Sequence, residues 1–366
     1  MLTPTRYSLL LLALAACRDA PEPSAPPALT LSPGWTAVLE GDSTRLTATS
    51  PNAQGDTLDA ATLTWSSSNP AVADVDAAGM VHGRTLGSAR IGATYQGVSD
   101  STEVAVVPPV LVGAGDIASC SFNDDEATAK LLDSIPGVVF TAGDNAYPNG
   151  AIAEYTLCYD PTWGRHKNRS RPSPGNHEYN TLGIGYYTYF GRLAGDSGVG
   201  SYSYDLGTWH IVSLNSNVSM AAGSAQEQWL RADLAAHPTT STLAYWHHPR
   251  FSSGEHGSST APQPLWQALY DAGADVVING HDHTYERFAP QTPAGTLDSA
   301  RGIRAFVVGT GGAALYQFPT IAPNSEVRDN TTRGVIKLTL HPTSYEWAFV
   351  PAAGGTFRDS GTGACR

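Results

Sequence analysis

Two hydrophobic grammars divide the chain. From Leu29 to Val107 the apolar residues come in short alternating runs, "TRLTATS", "TLTWSSS" and "ARIGATY" among them, separated by Gly, Asn, Asp and Pro. Alternation at period two with frequent turn residues predicts a small β-sandwich. At "VPPV" (107–110) adjacent prolines interrupt both strand pairing and helix, which marks a domain boundary. Beyond it the order becomes apolar strand, polar turn, amphipathic helix, as in an α/β fold. Strands are predicted at Val110–Gly113, Val138–Thr141, His210–Leu214, Thr242–Trp246, Val276–Ile278 and Ala305–Val308, and helices at Glu126–Ser134, Gln226–His237 and Pro264–Ala272.

The first residues obey neither grammar. Arg6 precedes an apolar run, Leu9 to Ala16, too short for a bilayer-spanning helix but suited to the core of an export signal. The run ends "LAAC" at Cys17, which resembles the bacterial lipoprotein box, where the cysteine is lipidated and becomes the mature amino terminus. Cleavage as an ordinary signal near Ala15 or Ala16 is the alternative. Residues 18–27, "RDAPEPSAPP", are proline-rich and polar and read as an extended tether. The expected division is thus a signal at 1–17, a tether at 18–27, an all-β domain at 28–107 and an α/β domain at 108–366.

Composition narrows the partners. With 366 residues the chain can build two domains and at least one large core. Its 21 basic against 33 acidic residues give a net charge of −12, so nothing favours general attraction to nucleic acid or anionic lipid. Nucleic acid is not expected as a partner beyond nucleotide substrates, and the membrane only through the anchor. An anionic substrate would need a local positive centre such as a metal. With Cys17 set aside, Cys120, Cys158 and Cys365 permit one bridge in an oxidising compartment, and Cys120 with Cys158 is the expected pair because both fall in loops that should flank one site.

That site is suggested by the residues that follow four of the predicted strands and a short run from Arg169, at the carboxyl ends where open α/β sheets keep their ligands. "GAGDIAS" supplies Asp116 and "AGDNAYPNG" supplies Asp144 and Tyr147. "PSPGNHEY" supplies Asn176, His177 and Glu178, "LAYWHHPRFSSGEH" supplies His247, His248 and His256, and "INGHDHTYER" supplies His281 and His283. Carboxylate, phenol, amide and imidazole are the donors that hold two hard or borderline cations a few Å apart. A single His-x-His loop is ordinary; five donor-bearing strand ends in one chain are not.

The order GD, GDxxY, GNHE, HxP and GHxH resembles the calcineurin-like metallophosphoesterases, and the tyrosine gives it the look of their purple acid phosphatase branch. The resemblance covers roughly residues 110 to 350 and implies a metallophosphoesterase β-sandwich with flanking helices. It implies that Asp116, Asp144, Tyr147 and His283 hold one metal, and that Asp144 as bridge, Asn176, His247 and His281 hold the other. It also implies that His177 and His256 bind phosphate or protonate the leaving group. The first motif departs from the pattern in two ways: Ala118 stands where many members have a histidine ligand, and "GDIAS" replaces the commoner GDxG. Tyr147 can replace the missing histidine, and a phenolate, whose acid has a normal pKa of about 10, suits a strongly Lewis-acidic ion. The implied cofactors are two divalent or trivalent ions, Fe(III) with Zn, Mn or Fe(II). His248 is expected to point away from the ligands, Asp282 to face solvent or a backbone N–H, and Tyr285, Glu286 and Arg287 to be supporting residues. "VGTGG" (308–312) reads as a tight turn near the site, and the glycosylation-type triplets at Asn168, Asn217 and Asn330 carry no role.

The stretch "LTWSSSNPAVADVDAAGMVHGRTLGSARIGATY" resembles bacterial immunoglobulin-like domains of the group 2 type, through Trp65, Asn69, Pro70, Val75, Gly79 and Gly87. Its one histidine, His82, has no carboxylate cluster for catalysis, so this part reads as a spacer or adhesion module. The expectation for the whole chain is a secreted, lipid-anchored phosphomonoesterase. A phosphodiesterase or nucleotide hydrolase on the same site, and a surface binding protein with an inactive phosphoesterase domain, remain as alternatives.

Overall fold

The computed structural model describes residues 28–50, 57–121, 123–238 and 241–366. The signal, the tether and Cys17 lie outside them. No helix among the described residues is long and apolar enough to cross a membrane.

The described part of residues 30–107 is built of strands, with one short 3-10 turn at Ala60–Thr62. A four-stranded sheet runs in the order Trp35–Leu39, Val98–Val107, Gly87–Tyr95, Thr64–Ser67, and faces a three-stranded sheet of Ser43–Arg45, Met80–Gly83 and Ala73–Val75. Their alternate side chains, among them Val38, Val81, Ile91 and Val104, close one small core with Leu46.

The rest is built on two larger sheets. One has six strands in the order Ser170–Ser173, Val138–Ala142, Val110–Ala114, Gly334–His341, Ser344–Pro351, Ser360–Ala364, the first three parallel. The other has seven, in the order Tyr202–Leu206, Trp209–Ser213, Thr242–Tyr245, Val276–Asn279, Arg304–Val308, Tyr285–Phe288, Ser325–Asp329, with the second to fifth parallel. The six predicted strands and three predicted helices are all present, each end within two residues of its predicted place.

The unbroken apolar runs have a direct cause. The parallel strands of the seven-stranded sheet are buried on both faces, so each run serves two cores. Val276 and Ile278 point into the core shared with the six-stranded sheet, beside Leu111, Phe140, Ile336 and Leu338. Val277 points the other way, toward Leu230, Leu265, Trp266 and Leu269 on the helices Ala225–Ala236 and Gln263–Asp271. Ile211 and Val212, Leu243 and Ala244, and Phe306 and Val307 split in the same manner. This arrangement brings the carboxyl ends of parallel strands from both sheets to one rim.

Candidate metal centre

At that rim the loops after Ala114 and Ala142 zip together. Asp116 N donates to Gly143 O at 3.0 Å, Ile117 N to Asp144 O at 2.9 Å and Ala118 N to Asn145 O at 3.0 Å. Asp116, Asp144 and His281 all have positive φ, at 61°, 47° and 72°. For residues with a Cβ this left-handed backbone costs roughly 1 kcal/mol or more each, a strain that gathers at functional sites. Glycines make the close approaches possible. A Cβ on Gly280 or on Gly309 would come within 2.7 Å of Asp116 Oδ2, so "VGTGG" is a tight turn packed on the first aspartate.

All seven predicted donors converge in a continuous chain of contacts. Tyr147 Oη lies 3.0 Å from Asp116 Oδ1, 3.2 Å from Asp144 Oδ2 and 3.1 Å from His283 Nε2. His283 Nε2 is 3.3 Å from Asp116 Oδ1. On the other side of Asp144, His247 Nε2 is 3.2 Å from Asp144 Oδ2 and 3.2 Å from His281 Nδ1. The seventh, Asn176, begins the short helix Asn176–Tyr179 and sets its Oδ1 3.0 Å from His247 Nε2. Asp144 stands between the two groups, the place a bridging ligand occupies. Asp116, Asp144 and His247 are buried, with donor atoms within 4.8 Å of one another.

The residues behind these donors set their protons. His247 Nδ1 is 2.8 Å from Ala142 O and His283 Nδ1 is 2.7 Å from Ala314 O. A carbonyl can only accept, so Nδ1 carries the proton in each neutral ring and Nε2 turns its lone pair inward. Second-layer bonds of this kind orient metal-ligating histidines. Burial alone would depress the His247 pKa, but the Asp144 and Asp116 carboxylates reverse this and lift it to about 9, so at neutral pH its Nε2 carries a proton that a cation would displace to gain the lone pair. Burial and the neighbouring His247, His248 and His256 rings hold His281 far below the ordinary imidazole range, so it is neutral. Burial and the two aspartates push the Tyr147 phenol well above its ordinary value, so it ionises only against a cation. Lone pairs and carboxylates facing one another at about hydrogen-bond distance form a donor set that suits cations.

Glu178 shows how the third motif is anchored. It is fully buried, and accepts N–H bonds from Gly175 at 2.7 Å, Asn145 at 2.9 Å and Ala146 at 3.2 Å, and the Tyr155 hydroxyl at 3.0 Å. Burial and the adjacent Asp144 carboxylate raise its pKa to about 7. It therefore ties the loops bearing Asp144 and Asn176 into one body. Cys120 and Cys158 form a disulfide with Cα atoms 5.0 Å apart, on the flank of this same body, and Cys365 is free.

The mouth of the site is lined by imidazoles and a phenol. His177 donates its backbone N–H to Asp144 Oδ1 at 2.9 Å, fixes Nδ1 on Pro148 O at 2.6 Å and sets Nε2 3.7 Å from Asp144 Oδ2. His256 stacks on His281, ring centres 4.1 Å apart. One expectation needs correction. His248 does not point away: its ring lies 4.4 Å from that of His281, it joins His247 and His281 in one cluster, and Ser216 Oγ holds its Nδ1 at 2.7 Å. Of the two places expected for Asp282 the structure shows the second: it is fully buried and accepts backbone N–H groups. Sequence reasoning also missed Tyr316, which stacks on His283 at 3.9 Å and faces His256 at 5.5 Å. An aromatic four residues after the "VGTGG" turn was the available signal. Tyr285 and Arg287 support from behind by binding Asp359 at 2.7 and 2.8 Å.

Comparison with known proteins agrees with this geometry. Residues 110–285 match the calcineurin-like phosphoesterase family and residues 27–106 match the bacterial Ig-like domain of group 2. Purple acid phosphatase 15 of Arabidopsis thaliana is 28% identical over 218 residues, covering 49% of this chain and 41% of its own length. Acid phosphatase type 7 of Danio rerio is 28% identical over 147 residues, covering 32% of this chain and 33% of its own. The chain thus spans less than half the length of either relative. A purple acid phosphatase from yellow lupin (Lupinus luteus) seeds superimposes with a TM-score of 0.60 at 18% identity, covering 92% of this chain and 73% of that one, which shows a shared fold. The chain therefore joins a segment that matches the bacterial Ig-like domain of group 2 to one that matches the calcineurin-like phosphoesterase family, with purple acid phosphatases among the proteins it is similar to.

Proposed function

We propose that the protein is an extracytoplasmic, lipid-anchored phosphomonoesterase whose centre holds two metal ions, with the Ig-like domain as spacer. The observation that carries this reading is the convergence of Asp116, Asp144, Tyr147, Asn176, His247, His281 and His283, with His247 and His283 locked on backbone carbonyls as inward-facing donors. Asp116, Tyr147 and His283 would hold one ion, Asn176, His247 and His281 the other, and Asp144 both. Fe(III) beside Zn, Mn or Fe(II) suits a set that includes a phenolate. Such a pair supplies Lewis acidity toward phosphoryl oxygens and acidifies bound water. The chain's own part is positioning and proton supply. His177 stands at the mouth with Nδ1 pinned on Pro148 O, which turns Nε2 toward the substrate's phosphoryl oxygens. His256, stacked over His281, is placed to give a proton to the leaving alkoxide. General acid help of this kind contributes about 10² to 10⁴. The disulfide supports an oxidising compartment.

The test compares a phosphomonoester with the bis-ester of the same phenol, using wild type and Asp144→Asn. Faster turnover of the monoester, abolished in the variant, is expected. Preference for the bis-ester would move the assignment to a phosphodiesterase, and turnover of either ester undiminished in Asp144→Asn would sink both. With iron bound, the wild type should show a tyrosinate charge-transfer band that Tyr147→Phe lacks.

A further inference from the structure

Between the two histidines of "GHDH" sits a carboxylate that the donor set does not use. Asp282 is fully buried, and its side-chain hydrogen bonds among the described residues all run to one loop. Oδ1 accepts the backbone N–H of His256 at 2.8 Å, and Oδ2 accepts that of Gly257 at 3.2 Å and the Ser252 hydroxyl. Ser252 Oγ in turn accepts Gly254 N–H at 3.0 Å. A Cβ on Gly254 would fall 2.6 Å from Asp282 Cβ, so the loop is wrapped on this side chain without room for another. Four residues further along, the equally buried Glu286 accepts Ser253 N–H at 2.7 Å and the Ser253 hydroxyl. Residues 252–257 are thus bound to the strand end that carries His281 and His283.

The loop's cargo is His256. Among the described residues no hydrogen bond holds its ring, which stacks on His281 and packs against Tyr316. Its place over the centre therefore depends on its backbone, and Asp282 fixes that backbone. A buried carboxylate that accepts three donors from one loop makes strong, charge-assisted bonds. We propose that Asp282 is a positioning residue, holding the 252–257 loop so that the His256 imidazole stays over His281 and within reach of the departing group.

This rests on the proposed phosphomonoesterase reading. In that reaction a water oxygen bonds to phosphorus and releases a proton to solvent, from which His256 is later reprotonated, as the ester P–O bond breaks. The departing oxygen keeps the electron pair and takes one proton from His256. A misplaced His256 therefore harms esters in proportion to their need for that proton.

The experiment measures kcat and KM for two monoesters, an aryl ester whose phenolate leaves unaided and an alkyl ester whose alkoxide needs the proton, with metal content determined for each protein. Asp282→Asn should lower kcat on the alkyl ester by about 10- to 100-fold, part of the general-acid contribution, and on the aryl ester by less than about threefold, with KM little changed. In a His256→Ala background it should add nothing on the alkyl ester, because both changes remove one function. Ser252→Ala, a milder change, should move the same ratio in the same direction. Equal loss on both esters with metals retained, or an undiminished effect in the His256→Ala background, would overturn the proposal. If Asp282→Asn does not fold, Ser252→Ala decides by the same ratio. A wild type that holds two metals and hydrolyses neither ester would overturn the phosphomonoesterase reading itself, and the proposal with it.

Discussion

Gly175 offers a test of how tightly the backbone is drawn around Asp144. Its φ of −106° is open to any residue, so a substitution there meets no conformational penalty. The penalty is steric: a Cβ would fall 2.8 Å from Asp144 Cγ and closer still to Asp144 Oδ1 and N, whereas real Cβ contacts essentially never come under 3.0 Å. Asp144 cannot yield cheaply, because its carboxylate is bound by His177 N–H and lies beside His247 and Tyr147. Gly175→Ala must therefore push the carboxylate or its loop aside by about 1 Å, a displacement of the size that costs about 10²-fold in rate. The overpacking itself costs about 1–3 kcal/mol. A loss of about 2 kcal/mol would lower Tm by about 4–8 °C for a domain of this size. Calorimetry, metal content and initial rates on an aryl phosphate measure all three. Gly34→Ala is the control, since nothing lies within 4 Å of a Cβ there. Wild-type activity and metal content in Gly175→Ala would refute the placement of Asp144 against this turn.

Two further outcomes concern groups outside the centre. His210 is buried with Nδ1 2.9 Å from Asp205 and Nε2 2.8 Å from Asp233, and its ring stacks on His237 at 4.4 Å. Burial opposes its charge, but the bonds to Asp233 and Asp205 outweigh it and raise its pKa. A raised folded-state pKa gives stability that is fully present below the unfolded value of about 6.5 and is lost as pH rises through the folded one. The Tm gap between wild type and His210→Gln should therefore be widest at acid pH and shrink toward pH 9; a gap that widens with pH would contradict this. For the Cys120–Cys158 bridge, whose cysteines are 38 residues apart, loop-closure entropy gives about 4 kcal/mol. A Cys120→Ser/Cys158→Ser protein should lose about 2–4 kcal/mol in urea unfolding, and unchanged stability would show that the closed loop contributes nothing.

The features legible in the sequence were those that leave a local or periodic trace. Val276–Ile278 and its parallel neighbours are apolar at every position because they serve two cores, and the predicted strands match them closely. Asp116, Asp144, His247 and His281 were legible because each lies two residues beyond such a strand, whereas Asn176 follows the polar run Ser170–Ser173 and was legible only from its motif. The antiparallel strands Gly334–His341 and Ser344–Pro351 were missed although their burial alternates at period two; polar Lys337, Thr339 and Glu346 on the open face break the apolar runs that marked the others. Tyr186, Tyr189 and Phe190 pack with Tyr155 and Tyr159 in an aromatic cluster with no simple period. Asp282, His248 and Tyr316 owe their places to loop conformation and to partners far along the chain, such as Ser252 and Ser216. No spacing in the sequence encodes those contacts.

The central claim is that two cations share Asp144. Mass-spectrometric metal analysis of the purified protein, wild type beside Asp144→Asn, tests it most directly. The account predicts about two transition-metal ions per wild-type chain, iron among them, and loss of both or nearly both in the variant, since each site gives up a buried anionic donor. No stoichiometric metal in the wild type after reconstitution with Fe, Mn and Zn, or full occupancy in Asp144→Asn, would contradict it.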